Sequence, residues 1–147
     1  MTDRVHGAGT IVVGVDGSEQ SRRALEWALR QAEYEDADVI AVHAWQMPVT
    51  YGTGAMLMPT SVFADDAKAA LNAAVEAVGT DLPDARIERS VVEGNPAKVL
   101  IDKAKGADLL VVGSRGHGGF VGALIGSVSN YCVHHAPCPV VVIRGEE

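Results

Sequence analysis

The sequence predicts one α/β domain of 147 residues, a mostly parallel five-stranded sheet with helices on both faces. Two observations carry that expectation. Short aliphatic, β-branched runs alternate along the chain with longer segments of helical period. The first such run, Thr10-Ile-Val-Val-Gly-Val15, is apolar without polar alternation, as expected of a strand buried on both faces. A chain of this length buries roughly 70% of its unfolded surface and can build its core without covalent staples.

Strand one is bounded by Gly9 and by Asp16-Gly17-Ser18. From Ser18 to about Glu35, Ala24, Leu25, Ala28, Leu29 and Ala32 recur at helical spacing, so an amphipathic helix follows. Asp38 to Trp45 reads as strand two, and Ala67, Leu71, Ala74, Val75 and Val78 mark helix two. Arg86 to Glu93 gives strand three. Asn95 and Pro96 suit the N-cap and first position of a helix that carries Ala97, Leu100, Ile101 and Ala104. Asp108 to Val112 is strand four, and a last helix is expected over roughly Val128 to His135, stopped by Pro137. Pro139 then opens strand five, Val140 to Ile143. Residues 1–9 read as a flexible tail and 10–147 as the single domain. The connection from Gln46 to Thr60 exceeds the usual ~4–6 residues and reads either as a lid or as a surface loop.

Composition narrows the function. The chain is 48% hydrophobic and 21% charged with a net charge of −7, which lacks the basic stripe that nucleic-acid binding needs. Only 5% of residues are aromatic while glycine numbers 16, a balance suited to tight backbone turns rather than base-stacking platforms. Two cysteines, Cys132 and Cys138, are too few for a secreted disulfide framework, and no signal-peptide pattern opens the chain, so the expected compartment is the cytoplasm. The apolar runs fall far short of the ~20 residues that span a bilayer.

Glycine concentrates after strand four, in Gly113-Ser-Arg-Gly-His-Gly-Gly-Phe-Val-Gly122 and again at Gly126-Ser-Val-Ser-Asn130. Glycine lets a phosphate approach backbone N–H groups, and a helix start beyond it adds unpaired donors and a positive dipole end. Ser127, Ser129, Arg115 and His117 would supply side-chain donors; the alternative is that the glycines make turns and the serines cap the last helix. No glycine precedes a lysine, so there is no Walker A loop, and Val121 stands where a G-x-G-x-x-G fingerprint starting at Gly116 needs glycine.

The spacing Gly-x2-Gly-x9-Gly-Ser at Gly113, Gly116, Gly126 and Ser127, with Val12-Val-Gly-Val-Asp-Gly-Ser18 and His135-Ala-Pro-Cys-Pro-Val-Val-Val142, resembles the universal stress protein family over roughly residues 8–144. Cys132 and His134 depart from the pattern. The resemblance implies a doubly wound, Rossmann-like sheet of order 3-2-1-4-5, of the adenine nucleotide alpha hydrolase type, and binding of ATP or another adenine nucleotide, with Mg²⁺ on its phosphates. It implies that Gly113, Arg115, Gly116, Gly126, Ser127, Val128 and Ser129 line the ribose and phosphates. Val15 and Asp16 would approach the ribose or a phosphate-bound metal, and the backbone of Val39 would meet the adenine. It also implies a homodimer through Val140–Ile143 and a stress-response role; no catalytic residue is assigned, since the motif carries no clear general base and no Lys or Gln to stabilise transferred charge. Ligands in doubly wound sheets sit where strand order reverses, which for this order lies between strands one and four.

Some residues also carry plainer readings. Asp16 and Glu19 fit a helix-start capping signal. His43, mid-strand, reads as a satisfied core histidine, and Cys132, His134, His135 and Cys138 lack the close spacing of a zinc site. Two other functions compete with nucleotide-dependent regulation. One is slow ATP hydrolysis or autophosphorylation, for which His117 or Asp16 would have to position water; the other is a nucleotide-free dimeric interaction module.

Overall fold

The computed structural model describes residues 9–46, 60–79, 86–114 and 126–145. Among them the element order is β1 (Thr10–Gly14), α1 (Glu19–Glu35), β2 (Asp38–Trp45), α2 (Thr60–Gly79), β3 (Ile87–Glu93), α3 (Pro96–Ala104), β4 (Leu109–Gly113), α4 (Ser127–His135) and β5 (Val140–Ile143). All five strands form one sheet of order β3-β2-β1-β4-β5. Every neighbouring pair runs parallel, so the chain must cross over through a helix between β1 and β2, β2 and β3, and β4 and β5.

Alternation along each strand divides the core in two. Ile11, Val13, Val39, Ala41 and Val111 face Leu25 and Leu29 of α1 and Leu71 and Val75 of α2. Val12, Val42, Leu110 and Val112 face the opposite way, toward Val99 and Leu100 of α3 and Cys132 of α4. Both central strands, β1 and β4, are therefore buried on both faces, which is why their sequences are uninterrupted aliphatic runs.

The starts of α1 and α3 are set by short polar side chains. Asn95 caps α3 by accepting from the Lys98 N–H at 3.2 Å, with Pro96 at the first position, as its sequence suggests. The start of α1 corrects the Asp16–Glu19 capping reading. Ser18 is the N-cap, its Oγ accepting from the Ser21 N–H at 3.1 Å, while Glu19 pairs with Arg22 at 2.6 Å. That Arg22 hydrogen bond holds the Glu19 carboxyl below its ordinary range. Asp16 instead accepts the Ser18 N–H on Oδ1 at 2.9 Å, folding the turn one step earlier. Gly17 sits between them at φ +87°, where a β-carbon would strain the backbone.

The two sheet edges differ. Edge strand β3 carries exposed Glu88, Arg89 and Glu93, whereas edge strand β5 is four half-buried aliphatic residues. Charges discourage edge pairing and an aliphatic edge invites it. The proposed lid, Gln46 to Thr60, falls outside the described residues but for its two ends, as does the tail at 1–8.

Truncation in either core should be felt as cavity formation. Leu25→Ala, at a fully buried position, is expected to cost about 2–5 kcal/mol in urea unfolding, against about 1 kcal/mol for the cap variant Asn95→Ala. Equal losses from the two would contradict this account of what holds the helices.

Candidate functional site

In the sheet, β1 and β4 are neighbours, yet the helices that follow them lie on opposite faces: α1 joins one core cluster and α4 the other. In a doubly wound sheet a ligand crevice is expected at this place, beyond the carboxyl ends of the two strands. On one side stands the turn from Val15 to Ser18, on the other the end of β4 and the start of α4.

The Val15–Ser18 turn is held rigidly by its own polar groups. Val15 donates its N–H to the Val42 carbonyl at 2.8 Å, and its carbonyl accepts from His43 Nδ1 at 2.8 Å, which places the proton on that ring nitrogen. His43 is thus satisfied as expected, although half-buried at the crevice end of β2 rather than in the core. The Asp16 N–H donates to Ser21 Oγ at 3.1 Å, and Ser21, 4% exposed, donates its own proton to the Ser18 carbonyl at 3.0 Å. Asp16 itself is exposed, an anchored carboxylate on the rim.

Across the crevice, α4 begins at Gly126, a glycine N-cap with no side-chain cap, and the first helical bond runs from the Asn130 N–H to the Gly126 carbonyl at 2.8 Å. The N–H groups of Ser127, Val128 and Ser129 therefore emerge at the positive end of the helix dipole without intrahelical partners. Ser127 is exposed, so its hydroxyl adds to that donor set, while Val128 packs into the α3/α4 core. Ser129 corrects the sequence reading. Its hydroxyl, 3% exposed, donates to the Ser114 carbonyl at 3.0 Å and lies 3.2 Å from the Gly126 carbonyl, so this serine offers a ligand its backbone and not its side chain. The same bonds show that the serines do not cap α4.

Gly113 ends β4. A β-carbon there would lie 3.1 Å from the backbone carbon of Gln20, so its bareness lets the first turn of α1 close over the strand. Arg115, Gly116 and His117 lie outside the described residues.

Val39 is a correction. It is the second residue of β2, fully buried, with its N–H on the Arg86 carbonyl at 2.9 Å. The crevice lies beyond the carboxyl ends of the strands, about 20 Å further along β2 at ~3.3 Å per residue. His43, Ala44 and Trp45 are the β2 residues at that end. Register decides this, and a strand's own residues do not reveal which of its ends faces a ligand.

Taken together, the arrangement can hold an anion at α4 and hydroxyl or cation groups at Asp16. A family model of the universal stress protein family matches residues 8–144. The chain belongs to that family. It is 38% identical over 135 residues to a universal stress protein of Mycobacterium tuberculosis, a match covering 91% of this chain and 45% of the relative. The chain thus spans about half the length of the mycobacterial proteins it matches. A universal stress protein solved in complex with cAMP superimposes with a TM-score of 0.71 at 28% identity, covering 92% of this chain and 96% of that one. One from Archaeoglobus fulgidus, in complex with dAMP, gives 0.66 at 25% identity, covering 92% and 97%. The strand order implied by the family resemblance is the observed one.

In this universal stress fold the residues weighed for zinc point apart. Cys132 is fully buried against α3, His134 is exposed with Nδ1 2.9 Å from the Asn130 carbonyl, and no cluster able to hold a metal occurs among the described residues. Burial pushes the Cys132 thiol up to about 11, and burial followed by the Asp108 carboxylate raises that of Cys138. Thiolate is the reactive form, so the native protein at pH 8 should react with a thiol-specific disulfide reagent slowly at half-buried Cys138 and not at Cys132 until denatured. Rapid labelling of both cysteines in the native state would contradict the packing of α4.

Proposed function

We propose that this universal stress protein binds an adenine nucleotide, ATP included, in the crevice between the Val15–Ser18 turn and the start of α4, and that occupancy regulates a cytoplasmic stress response. The observation that carries the reading is the uncapped N-terminus of α4 opening beside the Asp16 turn at the point where the chain reverses its winding. Related universal stress proteins solved in complex with cAMP and dAMP support an adenine nucleotide as the ligand.

The residues fit such a ligand by chemical type. Phosphate oxygens would take the N–H groups of Ser127, Val128 and Ser129 and the Ser127 hydroxyl, with Gly126 bare to permit close approach and Gly113, Arg115 and Gly116 completing the motif. Asp16 would accept ribose hydroxyls or meet a Mg²⁺ ion carried on the phosphates, with Val15 holding the turn beneath it. One carboxylate does not make a protein cage for Mg²⁺, so the ion would arrive with the nucleotide. Regulation then follows from unequal nucleotide affinity for the states that do and do not engage a partner.

The aliphatic edge of β5 supports a homodimer through Val140–Ile143, since edge strand β3 is charged and β5 is not. No helix among the described residues is long and apolar enough to cross a membrane.

Denaturing freshly purified protein and identifying released nucleotides by mass spectrometry tests the binding reading. Wild type should release adenine nucleotide, and Gly126→Leu, confirmed folded by circular dichroism, should release none. No release by wild type, with a melting temperature unmoved by ATP and Mg²⁺, would favour a nucleotide-free interaction module. Light scattering should give twice the chain mass for wild type and a single chain mass for Val142→Lys; a wild-type monomer at all concentrations removes the dimer.

A further inference from the structure

Gln20, in the first turn of α1, stands where three elements meet. Its Oε1 accepts the Ser114 O–H at 2.7 Å. Its backbone closes over Gly113, and its Nε2 lies 2.5 Å from where a β-carbon on Gly145 would stand, just past β5. Ser114 is 4% exposed, and each of its polar groups reaches a different element. The N–H donates to the Ile143 carbonyl of β5 at 2.8 Å and the O–H to Gln20 of α1. The carbonyl accepts from the Gly126 N–H at 2.5 Å and the Ser129 O–H at 3.0 Å, both at the start of α4.

We propose that Gln20 is a positioning residue for the phosphate end of the nucleotide site, acting through Ser114. The inference rests on the reading of that site given under Proposed function. Anchoring the N–H of Ser114 to β5 and its O–H to α1 holds the Cα between them, so only rotation of the following peptide unit is left to aim the carbonyl, and the two donors from α4 select that orientation. That carbonyl is what Gly126 and Ser129 hang from, and hydrogen-bond geometry tolerates little misdirection. The N–H groups of Ser127 and Val128 follow, because they begin the helix that Gly126 caps. Gln20 thereby ties α1, on one face of the sheet, to α4, on the other. Removing its acceptor leaves the buried Ser114 hydroxyl without that partner and frees it to turn. The Asp16 turn has supports of its own in Ser18, Ser21, Val42 and His43.

Calorimetric titration of wild type, Gln20→Met, Ser114→Ala and the double variant with ATP, AMP and adenosine tests the proposal. Methionine keeps the length of the side chain and removes the amide, its Oε1 acceptor included. Each single variant should weaken ATP about tenfold, the equivalent of one lost hydrogen bond, and AMP less, with adenosine unchanged within about twofold. The double variant should lose less than the two singles added together, since the Ser114–Gln20 bond that they share is lost once. Circular dichroism checks the fold. If Ser114→Ala fails to fold, the half-buried Gln20→Met carries the comparison alone. Equal losses for all three ligands would mark a structural role and overturn the proposal, as would unchanged ATP affinity or full additivity. Wild type that binds none of the three ligands overturns the nucleotide reading and this proposal together, whereas tight wild-type binding retained in the variants overturns the positioning role alone.

Discussion

Burial of β1 and β4 on both faces is the constraint from which the rest of the structure follows. A parallel sheet cannot leave its central strands half wet, so helices must cover each side, and here α1 and α2 take one face while α3 and α4 take the other. The chain starts at the centre of the sheet, winds outward through β2 and β3, then returns to place β4 on the other side of β1. Beyond the carboxyl ends of β1 and β4, α1 packs on one face and α4 on the other, and in a doubly wound sheet such a reversal is where a ligand can be held without cutting into the core. The position of the proposed site is a by-product of covering the sheet.

Among the described residues, the groups on either side of that reversal are mostly backbone and short polar side chains. Asp16, Ser18 and Ser21 bond to one another and to the turn they belong to, and Val15 is gripped at both its N–H and its carbonyl by β2. Opposite, Ser114 and Ser129 spend their hydroxyl protons inside the fold. Such preorganisation leaves few rotatable side chains to be ordered when a ligand arrives, which lowers the entropic cost of binding. It also accounts for how the proposed site can rely on glycine and serine in a chain whose net charge is negative. The helix terminus provides a local positive potential that whole-chain charge does not describe.

Much of the architecture was legible in the sequence because it rests on local periodicity and local capping. The aliphatic runs at 10–15, 38–45 and 140–143 and the Asn95-Pro96 start of α3 depend on neighbours within a few residues. Small displacements at element ends have simple causes: β1 stops at Gly14 because Val15 bonds only toward β2 as the chain turns away from β4. The competition among Asp16, Ser18 and Glu19 for the start of α1 was not legible, since all three are good residues for a helix start and only geometry ranks them.

By itself the sequence determined the alternation of strand and helix, the buried character of the sheet and the glycine–serine chemistry placed after β4. Those properties follow from residue type and short-range spacing. The tertiary structure decided the rest. It set Val39 at the far end of its strand from the crevice, turned the Ser129 hydroxyl inward, gave the capping of α1 to Ser18, and brought Gln20 against Ser114 across 94 residues of chain. Each outcome depends on register or on contact between distant segments. Neither is encoded in local spacing, because the free energy that selects them is the packing of one element against another.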